Sequence, residues 1–178
     1  VYGLTETMGG TTLSEFDAPI EVTCENKGKP IGEFEVKVVR NDIGEAADIG
    51  KDGEIWVRGY TVMLGYYKNE EATREAITEA GWFRTGDLGH YDEDGYLKIT
   101  GRAKEMFIVG GSNAYPAEIE RYLETHPKVG QAVVCGAPHE RLGEVCFAFV
   151  MPKDGQRVEP GEIADFCRGQ IADYKVPR

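Results

Sequence analysis

The chain has 178 residues, 41% of them hydrophobic, with 31 acidic against 20 basic side chains and a net charge of −11. That length and apolar share allow one medium domain or two small ones with real cores. The acidic balance argues against a phosphate-backbone partner, which needs clustered Lys and Arg, so no nucleic acid is expected. No apolar run approaches a membrane span and no charged-then-apolar leader is present, so no transmembrane segment is expected and the expected compartment is the cytoplasm.

In chain order, Val1–Thr7 (VYGLTET) offers an aromatic ring, a glycine and the run Thr5-Glu6-Thr7. Hydroxyl and carboxylate oxygens are hard ligands suited to phosphate and magnesium chemistry, and an aromatic face can stack on a purine; the same seven residues also read as a frayed terminus. From Asp17 to Ile99 short segments alternate with a two-residue period: Phe34, Val36 and Val38 share one strand face, and Ile55 with Val57 repeat the pattern. Asn69 is placed to cap a helix over Glu70–Ile77 whose first turn carries two glutamates. Asp92-Glu93-Asp94-Gly95 marks a hairpin turn. A small β-barrel with one helix is the expected body.

WFRTGDL (Trp82–Leu88) sets a polar step between apolar flanks, with Asp87 read as lying in a loop. A carboxylate there can accept two hydrogen bonds from a vicinal diol; taken alone, it reads more readily as a turn aspartate. Arg102, Ala103 and Lys104 stand where the barrel pattern ends and an α/β pattern begins, the kind of place where torsions change in a domain rotation, although a solvated lysine is the simpler account of Lys104. The stretch Gly101–Glu120 (GRAKEMFIVGGSNAYPAEIE) then gives a strand at Met106–Val109, a turn at Gly110-Gly111 and a helix from Pro116, with Glu118 and Glu120 near its positive end. The double glycine alone is ordinary α/β punctuation. Ala132–Cys135 and Cys146–Met151 read as strands, and Ile119, Tyr122 and Leu123, then Ile163, Phe166, Cys167 and Ile171, as the core stripes of two helices. Pro127, Pro138, Asp154-Gly155 and Pro160 are read as connections.

The four cysteines, Cys24, Cys135, Cys146 and Cys167, form no CxxC pair and are read as buried free thiols. His90, His126 and His139 lack ligand spacing or an obvious nucleophile partner and are read as surface or loop residues. Overall the fold class is α/β (α+β mixed), a small β-barrel subdomain over residues 1–102 followed by a small α/β domain with a mixed sheet and helices over 103–178.

Four ordered stretches, VYGLTET, GEIWVRG, WFRTGDL and GRAKEMFIVGGSNAYPAEIE, closely resemble motifs of the adenylate-forming (AMP-binding) superfamily of acyl-CoA synthetases, luciferase and peptide-synthetase adenylation domains. The resemblance covers essentially the whole chain. It implies a C-terminal fragment of a carboxylate CoA ligase of the fatty-acid type, joining the end of a large domain to a small mobile one. By resemblance Tyr2 lies against adenine, Thr5 contacts the α-phosphate, Glu6 holds Mg²⁺, Asp87 binds the ribose hydroxyls, and Arg102 contacts the ribose or phosphate of ATP or AMP. Lys104 is the hinge, and Gly110 and Gly111 line the channel for the pantetheine arm of CoA. The implied partners are a small-molecule carboxylate, ATP and CoA. The family's phosphate-contacting loop and its adenylation lysine are expected outside this sequence, before Val1 and after Arg178, so the fragment alone is expected to be inactive. Ser112, where many relatives carry a larger residue, and Asn69-Glu70, where Pro-Glu is frequent, depart from the family wording without touching a proposed catalytic group. Two alternatives stay open: an acyl-AMP ligase or adenylation domain loading a carrier protein, and a nucleotide- or CoA-binding module.

Overall fold

The structure, a computed structural model, describes residues 1–24, 27–40 and 45–178. It divides into two compact units, Val1–Ala103 and Lys104–Arg178. Among the described residues, no helix is long and apolar enough to cross a membrane.

The first unit is a seven-stranded sheet with two short helices. Its strands are β1 (Tyr2–Leu4), β2 (Gly9–Leu13), β3 (Lys27–Pro30), β4 (Glu35–Val39), β5 (Gly53–Arg58), β6 (Phe83–Tyr91) and β7 (Leu97–Arg102), with helices α1 (Ile20–Cys24) and α2 (Glu70–Ala76) between them. The sheet order is β1-β2-β3-β7-β6-β5-β4, every ladder antiparallel. Alternation along β4 and β5 buries Val38, Ile55 and Val57, which close on Leu97 from β7 to form the core. The Asn69 side chain accepts a hydrogen bond from the Ala72 N–H at 3.1 Å and caps α2, whose first turn carries Glu70 and Glu71.

The expected barrel does not close. Closure requires the two edge strands to pair; among the described residues β1 pairs with β2 alone, and β4 with β5 apart from a single bridge from Val39 to Ala46. The body is therefore an open sheet, and the mixed α/β class stands without the barrel.

The second unit is a four-stranded sheet, β8 (Phe107–Val109), β9 (Ser112–Ala114), β10 (Val129–His139) and β11 (Gly143–Pro152), in the order β10-β11-β8-β9, accompanied by α3 (Pro116–Glu124) and α4 (Pro160–Cys167). All its ladders are antiparallel rather than mixed. The short turns after β8 and β10 dictate this for the β8-β9 and β10-β11 pairs, because a parallel pair needs a long crossover. Pro116 starts α3 at its first turn, where the missing N–H has no partner to lose. Ile119 and Leu123 point from α3 into a core of Phe107, Val129, Ala132, Val134, Cys146, Ile163 and Cys167. Each Ile, Leu, Val or Phe among them contributes about 1.5–3 kcal/mol by leaving water.

Several sequence expectations change here. The helical stripe ending at Ile171 is cut at Cys167: Arg168 is already extended and Gly169 takes φ +70°. Pro138 lies inside β10, opposite Glu144, rather than in a connection. Cys146 and Cys167 are buried, but Cys24 and Cys135 are exposed. His126 is buried at 5% exposure, edge-on to Phe166 at 4.7 Å, and its Nδ1 accepts from the Lys128 N–H at 3.2 Å.

Candidate functional site

The TGD segment, read in the sequence as a loop, is part of strand β6 and interrupts both of its ladders. On the β5 side Glu54 faces Leu88 and Trp56 faces Arg84, so Thr85, Gly86 and Asp87 share the single opposite residue Ile55. Side chains take over the missing ladder bonds. The Thr85 hydroxyl donates to the Ile55 carbonyl at 2.7 Å and accepts from the Asp87 N–H at 3.0 Å, while the Gly86 N–H donates to Glu54 Oε1 at 3.2 Å. Gly86 sits at φ +72° with open space where a Cβ would be, so torsion rather than crowding selects glycine. Such bulges re-aim a side chain; here the one re-aimed is Asp87.

On the β7 side the register near the turn sets His90 opposite Lys98 and Gly89 opposite Ile99. Continued straight, it would set Asp87 opposite Gly101. A shift between Leu88 and Gly89 instead places Arg102 across from Asp87. Arg102 Nε lies 3.0 Å from Asp87 Oδ1, and the Tyr2 hydroxyl donates to Asp87 Oδ2 at 2.8 Å. Three residues from three strands thus converge, with Asp87 at 5% exposure and the Arg102 side chain 62% exposed. A carboxylate accepts about four hydrogen bonds, so two bonded partners leave acceptor capacity. Burial, and then the adjacent Asp87 charge, pushes the Tyr2 phenol well above its ordinary value and keeps it a proton donor, although the Thr85 contact and the Arg102 charge act the other way.

Thr5-Glu6-Thr7 forms a single 3-10 turn directly after β1. Thr7 is buried, and its hydroxyl lies 3.0 Å from the Leu4 carbonyl and 2.9 Å from that of Gly9. Thr5 is exposed and Glu6 half-buried. Glu6 Oε1 accepts from the Tyr66 hydroxyl at 3.1 Å. Burial first, and then the bond to Glu6, raises the Tyr66 pKa. Among the described residues no group of three or more His, Cys, Asp or Glu gathers as a metal cage. A single half-buried carboxylate such as that of Glu6 is a donor that Mg²⁺ can take beside phosphate oxygens and water.

The structure thus brings Tyr2, Asp87 and Arg102 together, with Thr5 and Glu6 in the turn that β1 leads into. Lys104, Gly110 and Gly111 belong to the second unit. Lys104 is exposed in the turn between β7 and β8 and is the first residue of that unit. Gly110 and Gly111, at φ +56° and +87°, make the two-residue turn joining β8 to β9, with the Gly110 N–H donating to the Leu142 carbonyl at 2.9 Å. Two successive positive φ values are what a type I′ hairpin demands. The sequence reading missed Tyr66 and Thr85; the Thr-Gly-Asp spacing, a hydroxyl two residues before the aspartate, was the available signal for Thr85, and nothing local pointed to Tyr66.

Residues 1–67 match the AMP-binding enzyme family and residues 118–178 the AMP-binding enzyme C-terminal domain. The chain belongs to this family of adenylate-forming enzymes. Among curated relatives, the putative acyl-CoA synthetase YngI of Bacillus subtilis is 44% identical over 99% of this chain and 32% of its own length. The mitochondrial medium-chain acyl-CoA ligase ACSF2 of Bos taurus is 39% identical over 99% of this chain and 29% of its own. The solved structure of o-succinylbenzoate CoA synthetase (MenE) from Bacillus subtilis, in complex with the acyl-adenylate intermediate OSB-AMP, aligns with a TM-score of 0.88 at 36% identity, covering 99% of this chain and 35% of that one. The chain therefore spans about a third of the length of the curated relatives it matches.

Proposed function

We propose that this chain is the C-terminal part of an ATP-dependent carboxylate CoA ligase, with a fatty acid of medium length as the substrate class, and that it supplies part of the nucleotide pocket and the mobile domain. The observation that carries the reading is the buried Asp87 carboxylate, held between Tyr2 and Arg102 on the TGD bulge with acceptor capacity to spare. A vicinal diol presents two donors to such a group. Asp87 binds the ribose hydroxyls, the Tyr2 ring lies along the adenine, and the exposed Arg102 guanidinium reaches the ribose or the phosphate. Thr5 contacts the α-phosphate and Glu6 holds Mg²⁺, which, when bound, offsets the phosphate charge.

The chemistry asks mainly for positioning and charge stabilisation. A carboxylate is a poor acyl donor because its leaving group would be oxide. Attack of the carboxylate oxygen on the α-phosphorus releases pyrophosphate and leaves a mixed anhydride, from which a thiolate then displaces AMP at the carbonyl carbon. Lys104 serves as the pivot between the two half-reactions, and the Gly110-Gly111 turn, without Cβ atoms, borders the channel of the pantetheine arm. The names of YngI, ACSF2 and MenE favour CoA as the acceptor thiol.

The test is the full-length enzyme carrying this chain, given ATP, CoA and carboxylates of graded length. Pyrophosphate release with consumption of CoA is expected. Hydroxylamine trapping of acyl-AMP without CoA dependence moves the assignment to carrier-protein loading, and turnover of neither kind ends the reading. The 178 residues alone are expected to turn nothing over, since they span about a third of the length of the curated relatives.

A further inference from the structure

The segment that follows β5 bonds at three points to the Thr5–Thr7 turn, from which it is separated by more than fifty residues of chain. The Thr61 hydroxyl donates to the Thr7 carbonyl at 2.7 Å, the Met63 N–H donates to the Glu6 carbonyl at 2.7 Å, and the Tyr66 hydroxyl donates to Glu6 Oε1 at 3.1 Å. The first two fix the backbone of the turn. The third fixes the carboxylate itself.

Tyr66 is held in turn by α2. Its N–H donates to Thr73 Oγ1 at 2.9 Å, and the same hydroxyl donates to the Asn69 carbonyl at 2.8 Å. Gly65, at φ +151°, brings the segment so close that a Cβ there would lie 2.7 Å from Thr73 Cγ2. A short capped helix with no buried residue of its own thus serves as an anchor for a tyrosine that reaches Glu6.

We propose that Tyr66 is the positioning residue for the Glu6 carboxylate. Its phenol occupies Oε1 and fixes the side-chain torsions, so that Oε2 is presented in one orientation to a divalent cation carried on a nucleotide phosphate. A free glutamate loses rotamer freedom when it takes a ligand, and one already held loses less. The inference rests on Glu6 being that cation's ligand, as proposed above.

The test uses Mn²⁺ with α,β-methylene-ATP on the full-length enzyme, free Mn²⁺ being read by electron paramagnetic resonance. Loss of one hydrogen bond to a charged group is expected to raise the Mn²⁺ dissociation constant about tenfold in Tyr66→Phe, with affinity for the analogue in the absence of metal unchanged. Glu6→Gln should weaken Mn²⁺ retention at least as much, and adding Tyr66→Phe to it should cost nothing further. If Glu6→Gln weakens retention and Tyr66→Phe does not, the positioning role alone is overturned. Equal weakening of the analogue with and without metal would make Tyr66 a general packing residue and overturns it as well. If Glu6→Gln has no effect, the assignment of Glu6 fails and the role of Tyr66 fails with it.

Discussion

The two units hold themselves together differently. Four of the buried polar residues, Thr7, Thr11, Thr12 and Asp87, lie in the first, whereas the second buries His126 within a core otherwise of Phe, Val, Ile, Leu, Ala and Cys. In the first unit Thr7, Thr11 and Asp87 each meet a polar partner inside, the Leu4 and Gly9 carbonyls, the Tyr2 carbonyl, and Tyr2 with Arg102, and the partners of Asp87 aim it. The second is an apolar body, a sheet with two helices packed around one hydrophobic core. The candidate site therefore lies in the unit whose packing is irregular, and the regular unit carries Lys104, Gly110 and Gly111.

The comparison breaks most readily at the apolar core. Leu123→Ala, at a fully buried position of α3, is expected to destabilise the second unit by about 2–5 kcal/mol. Both tryptophans, Trp56 and Trp82, belong to the first unit. Urea unfolding followed by far-ultraviolet circular dichroism should show an early transition that tryptophan fluorescence does not. If both probes shift together, the units are one cooperative body and the contrast fails.

On the polar side, Asp87→Asn keeps the shape of the group and its ability to accept from Tyr2, but removes the charge facing Arg102. The expected loss is about a hundredfold in kcat/KM for adenylation in the full-length enzyme, with little change in the urea midpoint. A stability loss as large as that of Leu123→Ala, with adenylation intact, would make the constellation a structural device.

A third difference lies at the sheet edges. Two N–H groups of edge strand β10 are occupied by α3: Glu120 Oε1 accepts from Val134 at 2.8 Å and Glu124 Oε1 from Ala132 at 3.3 Å. Unpaired strand edges invite another chain. Glu120→Ala with Glu124→Ala should cost about 1 kcal/mol per bond and raise the sedimentation coefficient with concentration relative to the wild type. An unchanged concentration dependence would mean that these carboxylates do not guard the edge.

Much of this was legible locally. The Asn69 cap, the Ile55-Val57 alternation, the Gly95 turn and the Pro116 helix start each depend on a few consecutive residues. What escaped depends on pairing. Alternation defines strands but not whether β1 meets β4, so an open sheet and a barrel look alike in sequence. Arg102 faces Asp87 only because one register shift intervenes, and no composition signal marks it. His126, beside Pro127, reads as a loop residue until Phe166 from α4 covers it. Glu120 reads as a helix-dipole charge until β10 is seen beside it. Tyr66 and Glu6 are sixty residues apart and meet through their side chains, beside a Met63-to-Glu6 backbone bond that no sequence pattern announces.

The smallest expected effect concerns acid. Glu162, in the first turn of α4, accepts from Lys128 Nζ at 2.7 Å, and His126 Nε2 lies 3.7 Å from the same oxygen. The bond from Lys128, reinforced by the Lys128 and His126 charges, holds the Glu162 carboxyl below its ordinary value of 4.5. With the folded pKa below the unfolded one, the stabilisation is fully present above about pH 4.5 and is lost as pH falls through the folded value. Lys128→Met removes the cause, and the pair is solvent-exposed enough that the effect is slight. The wild type should therefore lose more of its urea midpoint than Lys128→Met between about pH 6 and about pH 3, the two curves converging at the acid end. Parallel curves would show that the ion pair contributes nothing, leaving the second unit held by its apolar core alone and the contrast between the units sharper than stated.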